Sequence, residues 1–161
     1  MENKFNYLTE KLLEVKTLKE ALNIASKEIK NILHVDRVTL FIYSKELNVL
    51  YSYIADGIDK KLTIPLNKGV VGWVATNKQI KIVNDTSKEK LFYKEIEKTT
   101  NYQTKNLFTI PLLDIEDNLI GVLQLLNKPN RFKQEDIQTA ILFAECITPP
   151  FEILLSTNTI L

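Results

Sequence analysis

The sequence predicts an α+β sandwich, a mostly antiparallel sheet with helices packed against it. Three observations point there: two segments of helical period open the chain, short β-rich runs with a helical insertion among them follow, and an amphipathic segment closes it. The 161 residues are 45% hydrophobic and 25% charged, which suits one domain with a full core and leaves no room for a second of ordinary size.

Phe5, Leu8, Leu12 and Val15 follow the 3-4-3 spacing of a helix face, with Glu10, Lys11, Glu14 and Lys16 on the other faces. Thr17-Leu18-Lys19-Glu20 reads as a capping box opening a second helix, whose buried face holds Leu18, Ala21, Leu22, Ala25, Ile29, Ile32 and Leu33. From Arg37 to Tyr43 and from Val49 to Ile54 the residues are β-branched or aromatic, and the polar Ser44 to Asn48 joins them as a hairpin. Lys61 to Pro65 and Ile80 to Val83 read as further strands around a short helix near Val70 to Thr76, bracketed by Gly69 and Gly72. Asn84 to Asn106 is a long polar connection that still holds Leu91, Phe92, Tyr93, Ile96 and Tyr102, a composition typical of functional loops. Leu107 to Leu113 and Leu119 to Leu126 form a second hairpin across the turn-rich Asp114 to Asn118, and both belong near the sheet centre. Ile137, Ala140, Ile141 and Ala144 mark a last helix, with Glu135 and Asp136 at the end where the dipole favours anions. Pro149-Pro150 is expected to stop it near Ile147.

Charge excludes some function classes. Lys and Arg total 21 against 20 Asp and Glu, so the formal charge of +1 supplies no field for gripping nucleic acid or an anionic membrane. The start of the chain has no uninterrupted apolar targeting segment, and no run approaches 18 apolar residues, so neither membrane nor nucleic acid is expected as a partner. The lone Cys146 reads as a buried thiol in a reducing compartment, and a cytoplasmic location is expected.

The run from Ile64 to Thr76, Ile-Pro-Leu-Asn-Lys-Gly-Val-Val-Gly-Trp-Val-Ala-Thr, resembles the signature of GAF domains, the small sensory modules named after cyclic-nucleotide phosphodiesterases, adenylyl cyclases and a bacterial regulator. Asn84-Asp85, Phe92-Tyr93, Thr104-Lys105-Asn106, Ile110-Pro111-Leu112 and Ile120 to Lys128 fall in the family's order, so the resemblance covers about residues 17 to 147. It implies a GAF-like, PAS-related sandwich: a six-stranded antiparallel sheet with the terminal helices on one face and, on the other, a ligand pocket under a helix and loop roof formed by 84–106. Asn127, Lys128, Phe132 and Asp136 resemble the family's Asn-Lys...Phe...Asp motif, in which the Lys and Asp form a bracing ion pair. The implied organisation is an N-terminal signalling or dimerisation helix over 1–16, a GAF domain over 17–148 and a connector over 149–161.

The resemblance also implies a ligand-binding set. Asp56 matches an acidic residue that approaches the purine in nucleotide-binding members, and Val70 and Val71 match the backbone that meets the phosphate, where a helix start presents unpaired amides. Thr100 and Thr104 match two roof hydroxyls that a helical turn would aim at one ligand, and Tyr93 an aromatic at the roof's base. Thr39, Glu97 and Gln124 stand where the family commonly has serine, aspartate and glutamate. Read as residues alone, Glu97, Thr100 and Thr104 could equally be solvated loop positions, and Gln124 a strand residue. Gly69-Val70-Val71-Gly72 is neither a Walker loop nor a dinucleotide fingerprint, and Gly121 inside a strand marks close packing or a bulge.

Catalysis finds little support, since the only histidine, His34, ends the second helix and no carboxylate pair stands out. GAF-like methionine sulfoxide reductases use several pocket cysteines, whereas Cys146 lies on the closing helix; bilin and haem relatives need an anchor this chain lacks. The implied function is therefore non-enzymatic: a regulatory sensor that binds a small molecule, with cyclic AMP or cyclic GMP as the named candidates, and moves its terminal helices against a covalently linked output domain. The alternative is a structural homodimerisation module, its pocket filled by side chains such as Phe92 and Tyr102; the Phe5 to Val15 stripe supports pairing but is too short for a coiled coil and could equally pack on the domain's own sheet. The ending at Phe151 to Leu161 reads as a connector within a longer signalling protein.

Overall fold

Strand alternation sends successive side chains to opposite faces, so each central strand must serve two different layers. The computed structural model describes residues 2–54, 62–90 and 102–157. In chain order these form α1 (Asn6–Leu13), α2 (Leu18–Leu33), β1 (Arg37–Ser44), β2 (Val49–Ile54), β3 (Thr63–Pro65), α3 (Gly69–Asn77), β4 (Lys81–Val83), a 3₁₀ turn (Thr86–Lys88), β5 (Leu107–Leu113), β6 (Leu119–Leu126) and α4 (Gln134–Thr157). The strands make one six-stranded sheet of order β3-β2-β1-β6-β5-β4, antiparallel at every pair.

Val38, Leu40 and Ile42 of β1, Leu123 and Leu125 of β6 and Phe108 and Ile110 of β5 face α1, α2 and α4 in the larger core. Phe41, Val122, Leu126 and Leu107, one residue out of phase, face α3 in a second core with Val70, Val71, Val74 and Ala75. The α+β sandwich read from the sequence, with its terminal helices on one face, is the observed one. Thr17 caps α2, its hydroxyl accepting from the Glu20 amide at 3.2 Å. Gly121 is required by close approach: a Cβ there would lie 2.4 Å from the Phe41 carbonyl oxygen. Gly72 is held the same way, 2.6 Å from the Leu66 carbonyl oxygen.

Three expectations need correction. The first helix spans Asn6–Leu13, with Phe5 as its N-cap and Val15 beyond its end. Its stripe is spent inside the fold: Phe5, Leu8 and Leu12 are buried in the larger core, so those side chains offer no surface for pairing. The third concerns Pro149-Pro150, which does not end the last helix; α4 continues to Thr157. A proline at 150 deprives the Cys146 carbonyl of its usual intrahelical donor. That carbonyl instead accepts from the Thr9 hydroxyl of α1 at 2.8 Å, and Thr148 donates from its own hydroxyl to Ala144 at 2.6 Å. With the freed acceptor satisfied and Pro150, Phe151 and Leu154 buried, tertiary packing overrides the helix-breaking tendency.

Among the described residues α4 is also the one helix long and apolar enough, by length and composition, to cross a membrane, a property the sequence reading had not credited to any segment. Half of its apolar window is buried inside the fold, as suits a core helix.

Thr9→Val removes the hydroxyl that replaces the proline-lost donor and is expected to lower unfolding stability by about 1 kcal/mol in urea titration, whereas Thr9→Ser retains it. Equal stability of Thr9→Val and the parent would show that the Cys146 carbonyl needs no partner.

Candidate functional site

Besides Arg37 and Ser52, whose hydroxyl accepts from the Leu62 amide at 2.6 Å, the α3 face of the sheet carries one polar row across its central strands. Register places Thr39 of β1 directly opposite Gln124 of β6, and Gln124 directly opposite Thr109 of β5. Their parity with Phe41, Val122 and Leu107 aims all three toward the α3 side. Thr39 is 5% exposed, Gln124 8% and Thr109 0%. Gln124 Nε2 donates to Thr109 Oγ1 at 3.0 Å. Thr39 Oγ1 and Gln124 Oε1 have no partner among the described residues, while no side-chain nitrogen or oxygen sealed from solvent there lacks one. Both atoms therefore open onto space that a water molecule reaches. Water reaching that space can satisfy both atoms.

The row runs on to β4, where Lys81 pairs with Thr109 in register. Lys81 Nζ lies 5.2 Å from the centre of the Trp73 ring on α3 and 3.6 Å from a Glu89 carboxylate oxygen. At the start of α3, Val70 and Val71 are buried, and no side chain caps the first-turn amides.

Beyond the row lies a polar clasp built on three asparagines. Asn127, in the left-handed region at φ 59°, uses its whole side chain: Oδ1 accepts from the amides of Lys105 at 2.7 Å and Asn106 at 3.3 Å, and Nδ2 donates to the Tyr102 hydroxyl at 2.8 Å and the Gln103 carbonyl at 2.9 Å. Asn106 Nδ2 donates to the Lys128 carbonyl and its Oδ1 accepts from the Lys128 amide; Asn84 Oδ1 accepts from the Phe132 amide. Lys128 Nζ meets Asp136 Oδ2 at 2.9 Å with both side chains largely buried, and the same oxygen accepts from the Lys133 amide at 2.7 Å, capping α4. Phe132 packs edge-on against Phe108, 5.6 Å between ring centres. Tyr102 donates to Asp36 Oδ2 at 2.7 Å, beneath an Arg37 guanidinium 3.9 Å from its ring centre. Burial, and then the hydrogen bond to Asp36, raise the Tyr102 pKa well above the ordinary tyrosine range, so the hydroxyl remains a donor.

Comparison with known proteins decides the family. The family model described as GAF domain matches residues 17–147. The chain belongs to the GAF domain family. Among curated relatives, the alpha subunit of the rod cGMP-specific 3',5'-cyclic phosphodiesterase of Bos taurus is 28% identical over 116 residues, covering 63% of this chain and 13% of the relative. Among solved structures, the GAF domain of a phosphoenolpyruvate-protein phosphotransferase from Coxiella burnetii superposes with a TM-score of 0.82 at 15% identity, covering 97% of this chain and 95% of that one. The free methionine-R-sulfoxide reductase of Neisseria meningitidis, solved with its substrate, does so at 0.74 and 15%, covering 94% and 87%. These likenesses show the fold.

A GAF domain is a small-molecule-sensing regulatory module, a fold that is typically non-catalytic. In this one, Thr39 and Gln124 stand opposite each other on neighbouring strands, while Val70 and Val71 sit on the helix that packs over the same sheet face. Thr104 lies outside any helix or strand, and its carbonyl accepts from the Thr86 hydroxyl at 2.6 Å. Asp56, Tyr93, Glu97 and Thr100, like Phe92, lie outside the described residues. His34 caps α2 in the left-handed region, exposed, and Cys146 is buried among the helices on the opposite side of the sheet. Burial raises the Cys146 thiol pKa, which suits an inert core position. An open cleft of about 930 Å³ near Tyr43, Leu119 and Glu152 is lined by none of the candidate ligand-binding residues.

Sequence reasoning missed Thr109, Lys81 and Trp73. Only the strand register joins them to Gln124, although Thr109 inside an apolar strand was a visible polar interruption.

Lys128→Met leaves the Asp136 carboxylate buried without its cation and is expected to destabilise the fold by about 3 kcal/mol in urea titration. Adding Asp136→Leu to Lys128→Met should recover most of that loss; a single variant as stable as the parent would remove the pair from the fold's supports.

Proposed function

We propose that this GAF domain is a non-enzymatic sensor that binds a cyclic purine nucleotide, cyclic AMP or cyclic GMP, over the Thr39–Gln124–Thr109 row. The observation that carries the reading is the row of buried polar side chains Thr39, Gln124 and Thr109 across the central strands on the α3 side, in which Thr39 Oγ1 and one end of the Gln124 amide have no partner among the described residues. The row offers hydroxyl and amide groups to a heterocycle's edge, while the first-turn amides of α3 suit an anionic phosphate. The relative from Bos taurus, named for cGMP, supports the choice of nucleotide. Asp56, Tyr93, Glu97, Thr100 and Thr104 complete the proposed set.

Output would pass through the helical layer. Asn3 donates from its side chain to the Leu142 carbonyl at 3.0 Å and Thr9 to Cys146, so α1 and α4 are tied together. A ligand shifts these helices only by its differential affinity for two arrangements of them. A covalently linked output domain, a cytoplasmic setting and a homodimer belong to the same proposal. The alternative, a dimerisation module without a ligand, loses its main support because Phe5, Leu8 and Leu12 are buried in their own fold.

In a thermal-shift titration, cyclic AMP or cyclic GMP at 100 times its dissociation constant adds about 2.7 kcal/mol of stability. Gln124→Leu should keep the fold and weaken binding at least roughly tenfold in calorimetry, the value of a hydrogen bond lost from a buried site. Absence of a shift with both nucleotides rejects the nucleotide reading.

A further inference from the structure

Two consecutive prolines sit inside α4, and a proline ring both removes a backbone donor and crowds the carbonyl four residues back. The carbonyls of Glu145 and Cys146 therefore lack the intrahelical bonds that would join the turn before Pro149 to the turn after it. Different groups replace them. Glu145 and Pro149 lie exposed, where solvent serves. Cys146 and Pro150 are buried, and the Cys146 carbonyl accepts from the Thr9 hydroxyl of α1 at 2.8 Å. A carbonyl only accepts, so the direction of this bond is fixed: Thr9 donates. Thr148, directly before the prolines, turns its own hydroxyl back onto the Ala144 carbonyl at 2.6 Å, a contact that bends helices. α4 is nevertheless one continuous helix across this point, held there by a side chain from another helix.

The segment beyond the prolines is anchored on one face. Phe151 and Leu154 are buried, whereas Glu152 and Ser156 are exposed and, with Leu155, line the open cleft of about 930 Å³ whose lining also includes residues 44–46 of the turn after β1. The point of α4 with the fewest backbone bonds thus lies next to a segment that borders open space.

We propose that α4 is jointed at residues 144–150, that its distal segment, residues 150–157, swings about this joint toward the β1–β2 turn, and that Thr9 is the latch holding it in the arrangement seen. The latch lies on α1. Displacing α1 along α4 removes the donor and frees the distal segment, and holding that segment in the swung arrangement displaces α1 in return, with equal coupling free energy in both directions. The device needs no ligand on the α3 face, so it is independent of the preceding reading.

Distances between paired spin labels on the full chain test the joint. With Cys146→Ala removing the native thiol and leaving the carbonyl, labels at Glu46→Cys and Ser156→Cys span the cleft, while labels at Glu46→Cys and Gln138→Cys report the proximal part of α4; all three labelled positions are exposed. Double electron–electron resonance should give the 46–156 pair a main population and a minor, shorter one. Thr9→Val should raise the ratio of the shorter to the longer roughly fivefold, the factor that one ordinary hydrogen bond carries, and Thr9→Ser should match the parent. Replacing both prolines by alanine restores the two donors and should remove the shorter population, and the 46–138 distance should stay the same in every variant. A single 46–156 distance unaltered by Thr9→Val overturns the joint. So does a 46–138 distance that moves in step, because α4 then shifts as one rigid rod. If Thr9→Val does not fold, the proline replacement decides: a shorter population that is absent from the parent, or that persists with both alanines, overturns the joint.

Discussion

The pairing of β1 with β6 carries the rest of the structure. It joins a strand from the first third of the chain to one near its end, and its register sets Arg37 against Leu126, Thr39 against Gln124 and Phe41 against Val122. A one-residue slip of β6 would turn Leu123 out of the helical core and bring Gln124 into it, and a slip of β1 would do the same with Leu40 and Thr39, so both cores enforce the same alignment. Gly121 adds a steric lock, since the strands meet there too closely for any side chain. The polar row is thus a by-product of the packing that specifies the sheet.

Polar side chains, used to saturation, hold the far end of this arrangement. Asn127 makes four side-chain hydrogen bonds, and with Asn106, Asn84 and the Lys128–Asp136 pair it fastens the ends of β4, β5 and β6 to the start of α4. Such a network is stable only when every member is satisfied, a condition met here among the described residues. Tyr102 extends it to Asp36 at the junction between α2 and β1, so the chain entering β5 is tied to the start of the central strand. The family motif is therefore a brace, with none of its four residues on the Thr39–Gln124–Thr109 row.

Much of this was legible in the residues because it depended on local pattern. The capping box at Thr17, the hairpin turns, the short helix after Gly69 and the alternation of Val38 to Ile42 are each dictated by neighbours in sequence, and the GAF resemblance ordered them. The burial of Phe5, Leu8 and Leu12 was legible as an apolar face; whether that face met its own fold or a second copy was not, because the stripe is identical in either case. Pro149-Pro150 misled for a related reason. The backbone cost of proline is local, whereas the Thr9 hydroxyl that offsets it lies 137 residues from the Cys146 carbonyl it serves.

What the sequence by itself determined is the order and kind of the elements, the near-neutral charge, and the identity of Thr39 and Gln124 as polar residues in apolar strands. Only the tertiary structure decided that these two stand side by side, that Thr109 and Lys81 continue their row, and that Thr109 engages one end of the Gln124 amide. Periodicity assigns a residue to a face, but the partner across a strand pair is set by register between segments distant in the chain, and register is settled by the simultaneous packing of both sheet faces.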